Sequence, residues 1–96
     1  MPVFDRSGVI ADIGEGMPTK RILITGGAGF IGCNAALYFG GRNWRVTVLD
    51  NMSRAGADEN LAWLGQAATF DFARADVRER SAVEQVFRET RFDAVI

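Results

Sequence analysis

Four glycines fall within seven residues, Gly26, Gly27, Gly29 and Gly32, between an apolar run and a segment of helical character. The run before them, Arg21-Ile22-Leu23-Ile24-Thr25, has a continuous apolar centre. That pattern suits a central parallel strand buried on both faces. The segment after them, Ile31 to Phe39, puts Ile31, Ala35 and Phe39 at i, i+4 and i+8, one face of a helix. Gly26 and Gly27 let the chain turn sharply off the strand, where a Cβ would clash. Gly32 lets the helix pack tightly on the sheet. Few chains with this arrangement can fold into anything but the start of a βαβ unit.

The turn also has a chemical consequence. The first turn of such a helix points unpaired N–H groups, and the positive end of its dipole, at whatever lies before it. Gly29 leaves room for a pyrophosphate to approach the backbone there. The spacing fits G-x-G-x-x-G through Gly27, Gly29 and Gly32, and equally G-x-x-G-x-x-G through Gly26, Gly29 and Gly32. A second strand-like run, Arg45 to Leu49, ends in Asp50, 18 residues after Gly32. An acid at that place is expected to hydrogen-bond both hydroxyls of an adenosine ribose. The bland alternative is a tight strand-to-helix turn with no ligand, and the register of strand, turn, helix, strand and acid argues against it.

Further along, Gly40-Gly41-Arg42-Asn43 ends the first helix. A loop, Asn51 to Gly56, leads to a second helix over Ala57 to Gln66, with Ala57, Leu61 and Leu64 on one face and Trp63 off it. A short third strand is expected at Thr69 to Ala73, where Phe70 and Phe72 flank Asp71. The third helix is expected to begin near Ser81, capped by its hydroxyl, with Glu84 completing a capping box. Val83, Val86 and Phe87 form its expected buried stripe, and Arg88 and Arg91 suit its C-terminal end. Phe92 to Ile96 reads as a fourth strand cut short. The alternation predicts an α/β fold, a doubly wound parallel sheet of order 3-2-1-4 with right-handed crossovers. This is a partial Rossmann domain, truncated in strand four.

Composition bounds the rest. Ninety-six residues allow one domain at most. Net charge is −1 with no cationic block, which does not suggest nucleic acid or an acidic membrane as partner. Cys33 is the only cysteine, so no internal disulfide forms and a cytoplasmic location is the simplest expectation. Residues 1–18 mix charges and glycines without a periodic face and are expected to be a flexible extension, with 19–96 forming the Rossmann portion. Met17-Pro18-Thr19-Lys20 looks like a natural start, which makes Met1 to Gly16 upstream sequence or an over-extended start. A terminal peptide covering Met1 to Gly16 in the native product would refute that.

Thr25 to Gly32, Asp50 and the step Asp76-Val77-Arg78 together resemble the extended short-chain dehydrogenase/reductases, many of them NAD-dependent nucleotide-sugar epimerases and dehydratases. The resemblance covers Lys20 to Ile96. It implies that Gly26, Gly29, Phe30, Ile31 and Gly32 receive the NAD pyrophosphate, and that Asp50 and Asn51 hold the ribose. It also implies that Asp76 and Val77 contact the adenine, the carboxylate accepting from the amino group. A nucleotide-sugar substrate and a homo-oligomeric parent follow from the same likeness. The stretches Asp50 to Gly56 and Asn60 to Leu64 look, more narrowly, like the CDP-paratose (CDP-tyvelose) 2-epimerases. Asp50 would repel the 2′-phosphate of NADP, which favours NAD. Arg54 is the counter-signal, with a solvated loop residue as its simpler role.

No catalytic or metal-binding residue is expected within these residues. The family's acid/base pair is Tyr-x-x-x-Lys, whereas Tyr38 is followed four residues later by Arg42, a poor proton donor. Tyr38 is read as a helix packing residue, and Cys33 as a small buried one. There is no histidine, so the family's His-x-Ala-Ala type step is absent. The 96 residues are therefore expected to bind NAD and to be inactive alone. The alternative is a stand-alone, non-enzymatic NAD- or nucleotide-binding module.

Overall fold

The computed structural model describes residues 20–96, so the extension expected over residues 1–18 lies outside the described residues. Strands and helices alternate in chain order: β1 (Lys20–Thr25), α1 (Phe30–Gly40), β2 (Trp44–Asp50), α2 (Ala57–Ala67), β3 (Asp71–Arg74), α3 (Arg80–Glu89) and β4 (Ala94–Val95). The four strands form one sheet in the order β3-β2-β1-β4. All three pairings are parallel. The predicted topology is therefore the observed one.

Burial explains why β1 and β2 lie centrally. Ile22, Leu23 and Ile24 are each 1% exposed. Successive side chains point to opposite faces of a strand, so such a run demands cover on both. On one face Ile22, Ile24, Val46 and Val48 pack with Ala36 of α1 and Leu64 of α2. Burying a side chain of this size contributes about 1.5–3 kcal/mol. The matched register, Ile22 beside Val46 and Ile24 beside Val48, keeps the branched side chains in one layer. In α2, Ala57 and Leu64 are buried and Leu61 packs on the core, while Trp63 stands off that face, all as expected. Asp58 and Glu59 in its first turn complement the helix dipole.

The structure corrects several local expectations. In α1 Ala35 and Phe39 of the expected face pack against the core, but the fully buried residues are Cys33 and Ala36, and Ile31 is 81% exposed. The helix is apolar almost all round, so its periodicity carried little information about which face turns inward. The third helix begins at Arg80 with Glu79 at its cap, and no side chain caps it. Glu84 is not part of a capping box. It accepts from Arg80 at 3.0 Å and lies 3.8 Å from Arg88, so intrahelical ion pairs have claimed it. None of the expected stripe of α3 is fully buried. Phe87 instead makes an edge contact with Phe92. The third strand begins two residues later than expected, at Asp71.

Among the described residues β4 pairs only with β1, and the pairing continues through Ile96 N–H to Leu23 carbonyl and Thr25 N–H to Ile96 carbonyl, both at 2.9 Å. Thr25 Oγ1 donates to the same Ile96 carbonyl at 2.7 Å. No helix among the described residues is long and apolar enough to cross a membrane.

Candidate functional site

The C-terminal ends of β1, β2 and β3 converge on one cleft, because parallel strands deliver their outgoing loops to the same edge of the sheet. The first loop is the glycine turn. Gly26 has φ +65°, a left-handed conformation that side chains other than hydrogen resist. The N–H groups of Gly26 and Gly27 both donate to the Leu49 carbonyl, at 2.8 and 3.3 Å, which ties the turn to the end of β2. A Cβ on Gly27 would overlap Val48 Cγ1. A Cβ on Gly32 would overlap the Gly26 carbonyl oxygen and lie 2.6 Å from Gly27 Cα. Gly32 therefore lets α1 rest against the turn itself rather than against the sheet, a refinement of its expected role.

Gly29 caps α1 without a side-chain hydrogen bond. The helical hydrogen bonding begins with Cys33 N–H to Gly29 carbonyl at 2.9 Å. The N–H groups of Phe30, Ile31 and Gly32 precede it in the first turn, where a helix has no internal acceptor for them. These donors and the dipole make an anion cradle at the start of α1.

Asp50 ends β2 beside this cradle. Its Oδ2 accepts the Ala28 N–H at 3.0 Å and its Oδ1 accepts the Met52 N–H at 2.8 Å. Each carboxylate oxygen retains further acceptor capacity for a hydroxyl. Asn51 braces the next loop. Its Oδ1 accepts from Ser53 N–H and Oγ, at 3.1 and 2.9 Å, and its Nδ2 donates to Asp76 Oδ2 at 3.2 Å. Asp76, after β3, also accepts from Arg78 through its backbone N–H, Nε and Nη2, the last at 2.6 Å. The Arg78 guanidinium holds the Asp76 carboxyl well below the usual carboxylate range.

The cleft has a volume of about 270 Å³, and its walls include Gly26, Gly29, Asp50, Asn51, Asp76 and Val77. Six of the predicted site residues thus meet in one place. Phe30, Ile31 and Gly32 do not line it. The side chains of Phe30 and Ile31 are 77% and 81% exposed. A dinucleotide fits these groups: N–H donors and a glycine backbone for a pyrophosphate, a carboxylate for a ribose, and a second polar edge beside Val77 for a base.

The two decoys take structural roles. Cys33 is buried, and burial pushes its thiol pKa up, helped by the negative charge of Asp50. Tyr38 lies towards the C-terminal end of α1, with Arg42 Cζ 3.6 Å from its ring centroid and Phe39 in edge contact. It is half-exposed rather than packed inside. Among the described residues no cluster of His, Cys, Asp and Glu could hold a metal ion.

Three residues outside the predicted site set also shape it. Asn60 of α2 donates from Nδ2 to the Ala28 carbonyl at 2.9 Å and so pins the glycine turn from the other side. Arg78 fixes Asp76. Arg54 lines the cleft close to Gly29. Asn60 sat in a quoted stretch, but a contact spanning 32 residues leaves no mark in local spacing.

Comparison with known proteins agrees with the geometry. The chain is 45% identical over 79 residues to a putative UDP-arabinose 4-epimerase of Arabidopsis thaliana, covering 79% of this chain and 18% of that one. It is 39% identical over 66 residues to CDP-paratose 2-epimerase of Salmonella typhi, covering 69% of this chain and 20% of the relative. The UDP-glucose 4-epimerase of Bifidobacterium longum, solved in complex with NAD+ and UDP, superposes with a TM-score of 0.64 at 28% identity, over 79% of this chain and 23% of that one. The chain thus spans about a fifth of the length of the relatives it matches. Residues 22–96 match the model of the NAD dependent epimerase/dehydratase family, and the chain belongs to that family.

Proposed function

We propose that these residues form the NAD-binding part of an enzyme that epimerises a nucleotide-linked sugar. The observation that carries this reading is the Asp50 carboxylate, fixed at the end of β2 by two backbone N–H groups and placed beside the glycine turn. In this reading Gly26 and Gly29, with the N–H groups of Phe30, Ile31 and Gly32, receive the pyrophosphate. Asp50 takes the ribose hydroxyls, and Asn51 steadies the loop that carries them. Asp76 and Val77 border the adenine. The negative charge of Asp50 disfavours a 2′-phosphate and so selects NAD over NADP.

When bound, NAD supplies a hydride acceptor that can return the hydride to the opposite face of the oxidised sugar carbon. The residues in hand position it and exclude none of that chemistry. They hold no Tyr-x-x-x-Lys pair, so proton transfer calls on residues other than these, and the 96-residue chain alone is proposed to be inactive.

For the sugar, the proposal is a 2-epimerase of the CDP-paratose type. The stretches Asp50 to Gly56 and Asn60 to Leu64 and the Salmonella relative support it. A 4-epimerase acting on a UDP-sugar is the second reading, favoured by the identity to the Arabidopsis relative. Incubating the whole enzyme that carries these residues with CDP-tyvelose and with UDP-arabinose, and following sugar configuration by NMR, decides between them. Inversion at C2 of the CDP-sugar supports the first. Inversion at C4 of the UDP-sugar selects the second, and no inversion of either refutes the substrate assignment.

A further inference from the structure

We propose that Arg54 is the cationic ligand of the dinucleotide pyrophosphate, reaching across the cleft from the loop after β2 to the start of α1. This inference rests on the NAD reading above and deepens it. A Cβ built on Gly29 would lie 3.8 Å from Arg54 Nη1, so the guanidinium stands directly against the residue that caps α1. Arg54 and Gly29 are both on the cleft wall.

The charge balance of the cleft gives this arginine its role. The turn itself, Thr25 to Gly32, contains no lysine or arginine, so it offers a doubly charged pyrophosphate only N–H groups and a helix dipole. Arg78 also lines the cleft, but its guanidinium is bound to Asp76. The Arg54 guanidinium has no hydrogen bond or ion pair among the described residues. Asp50, four residues before it, already accepts from two backbone N–H groups. A free guanidinium beside an anion cradle presents a planar fork of donors that matches two phosphate oxygens.

The same arginine was a candidate for the 2′-phosphate of NADP. Its placement argues against that role. It approaches Gly29, at the pyrophosphate end, while the ribose end holds the negative charge of Asp50. Arg54 thus strengthens binding of any ligand with a pyrophosphate in the cradle, and does not reverse the choice of NAD.

Calorimetric titration of the full chain with NAD, ADP-ribose, NADP and adenosine tests this, using wild type, Arg54→Gln and Arg54→Lys. Arg54→Gln is expected to weaken NAD and ADP-ribose by roughly tenfold or more at low salt. Adenosine, which lacks phosphate, should bind both proteins equally. Arg54→Lys should recover part of the loss, and the gap should narrow as salt is raised. Equal losses for adenosine and ADP-ribose would overturn the proposal, because the arginine would then act on the nucleoside or the fold. So would a loss confined to NADP, or no loss at all. A wild type that binds neither NAD nor ADP-ribose sinks the NAD reading itself. A wild type that binds both, with Arg54→Gln unaltered, sinks only the role of Arg54.

Discussion

The Ala28 N–H donates to the Asp50 carboxylate at 3.0 Å, joining the glycine turn to the end of β2 across 22 residues of chain. The Ala28 carbonyl accepts from Asn60 at 2.9 Å. Ala28 is also fully buried. The turn is therefore held from two sides by side chains of different elements, and its open N–H groups keep their direction before any ligand arrives. A cradle that need not be ordered on binding loses less entropy when it is filled.

Asp50 then has two tasks, and removing it should show both. Asp50→Ala leaves the Ala28 and Met52 N–H groups without their acceptor, at a cost of about 1–3 kcal/mol. It also removes the charge that repels a 2′-phosphate. The variant should unfold at lower denaturant concentration, and its affinity ratio of NAD to NADP should fall. A ratio that stays constant, measured by titration with both dinucleotides, would remove Asp50 from the ribose site.

Gly26 and Gly32 should fail for different reasons. At Gly26 a Cβ meets nothing within 4 Å, so Gly26→Ala carries only the strain of a left-handed φ, about 1–2 kcal/mol. At Gly32 a Cβ overlaps the backbone of the turn, which cannot yield without moving the cradle. Gly32→Ala should be destabilised by about 1–3 kcal/mol and should also lose NAD affinity. Thermal unfolding with and without NAD separates the two effects. If Gly26→Ala loses more affinity than Gly32→Ala, the contact of α1 with the turn is not what shapes the cradle.

The link between Asp76 and Arg78 gives a pH signature. Arg78 lowers the Asp76 pKa in the folded chain. A carboxyl depressed in this way contributes stability that is fully present above its unfolded value, about 3.9, and is lost as pH falls towards the folded value. Arg78→Gln should move the Asp76 titration upward towards the ordinary range, read from its carboxyl carbon by NMR. An unmoved titration would mean that Arg78 does not hold Asp76 in solution.

Long-range order was legible in the sequence wherever burial on both faces forced it. Ile22-Leu23-Ile24 could only be a central strand, and the glycine turn after it could only lead into a helix. The acid after β2 and the Asp76-Val77 step after β3 reach the cleft because every parallel strand empties at the same edge. What escaped was decided by contacts rather than by spacing. Ser81 and Glu84 have the spacing of a capping box, but two neighbouring arginines compete for Glu84 and win. Ile31 looked inward because α1 is apolar on nearly every side. Arg54 was legible only as a loop arginine that could meet a 2′-phosphate, and its place against Gly29 shows only in the fold.

The most direct test is NAD binding by the full chain and by Gly29→Val, measured by calorimetry. A Cβ at Gly29 would already lie 3.3 Å from the Gly26 carbonyl oxygen, and a branched side chain would extend to where the pyrophosphate must approach. Wild type is expected to bind NAD, and Gly29→Val to bind it at least about a hundredfold more weakly, a loss of roughly 3 kcal/mol, while remaining folded. Equal affinity in the two proteins, or no NAD binding by wild type, would contradict the assignment of this cleft.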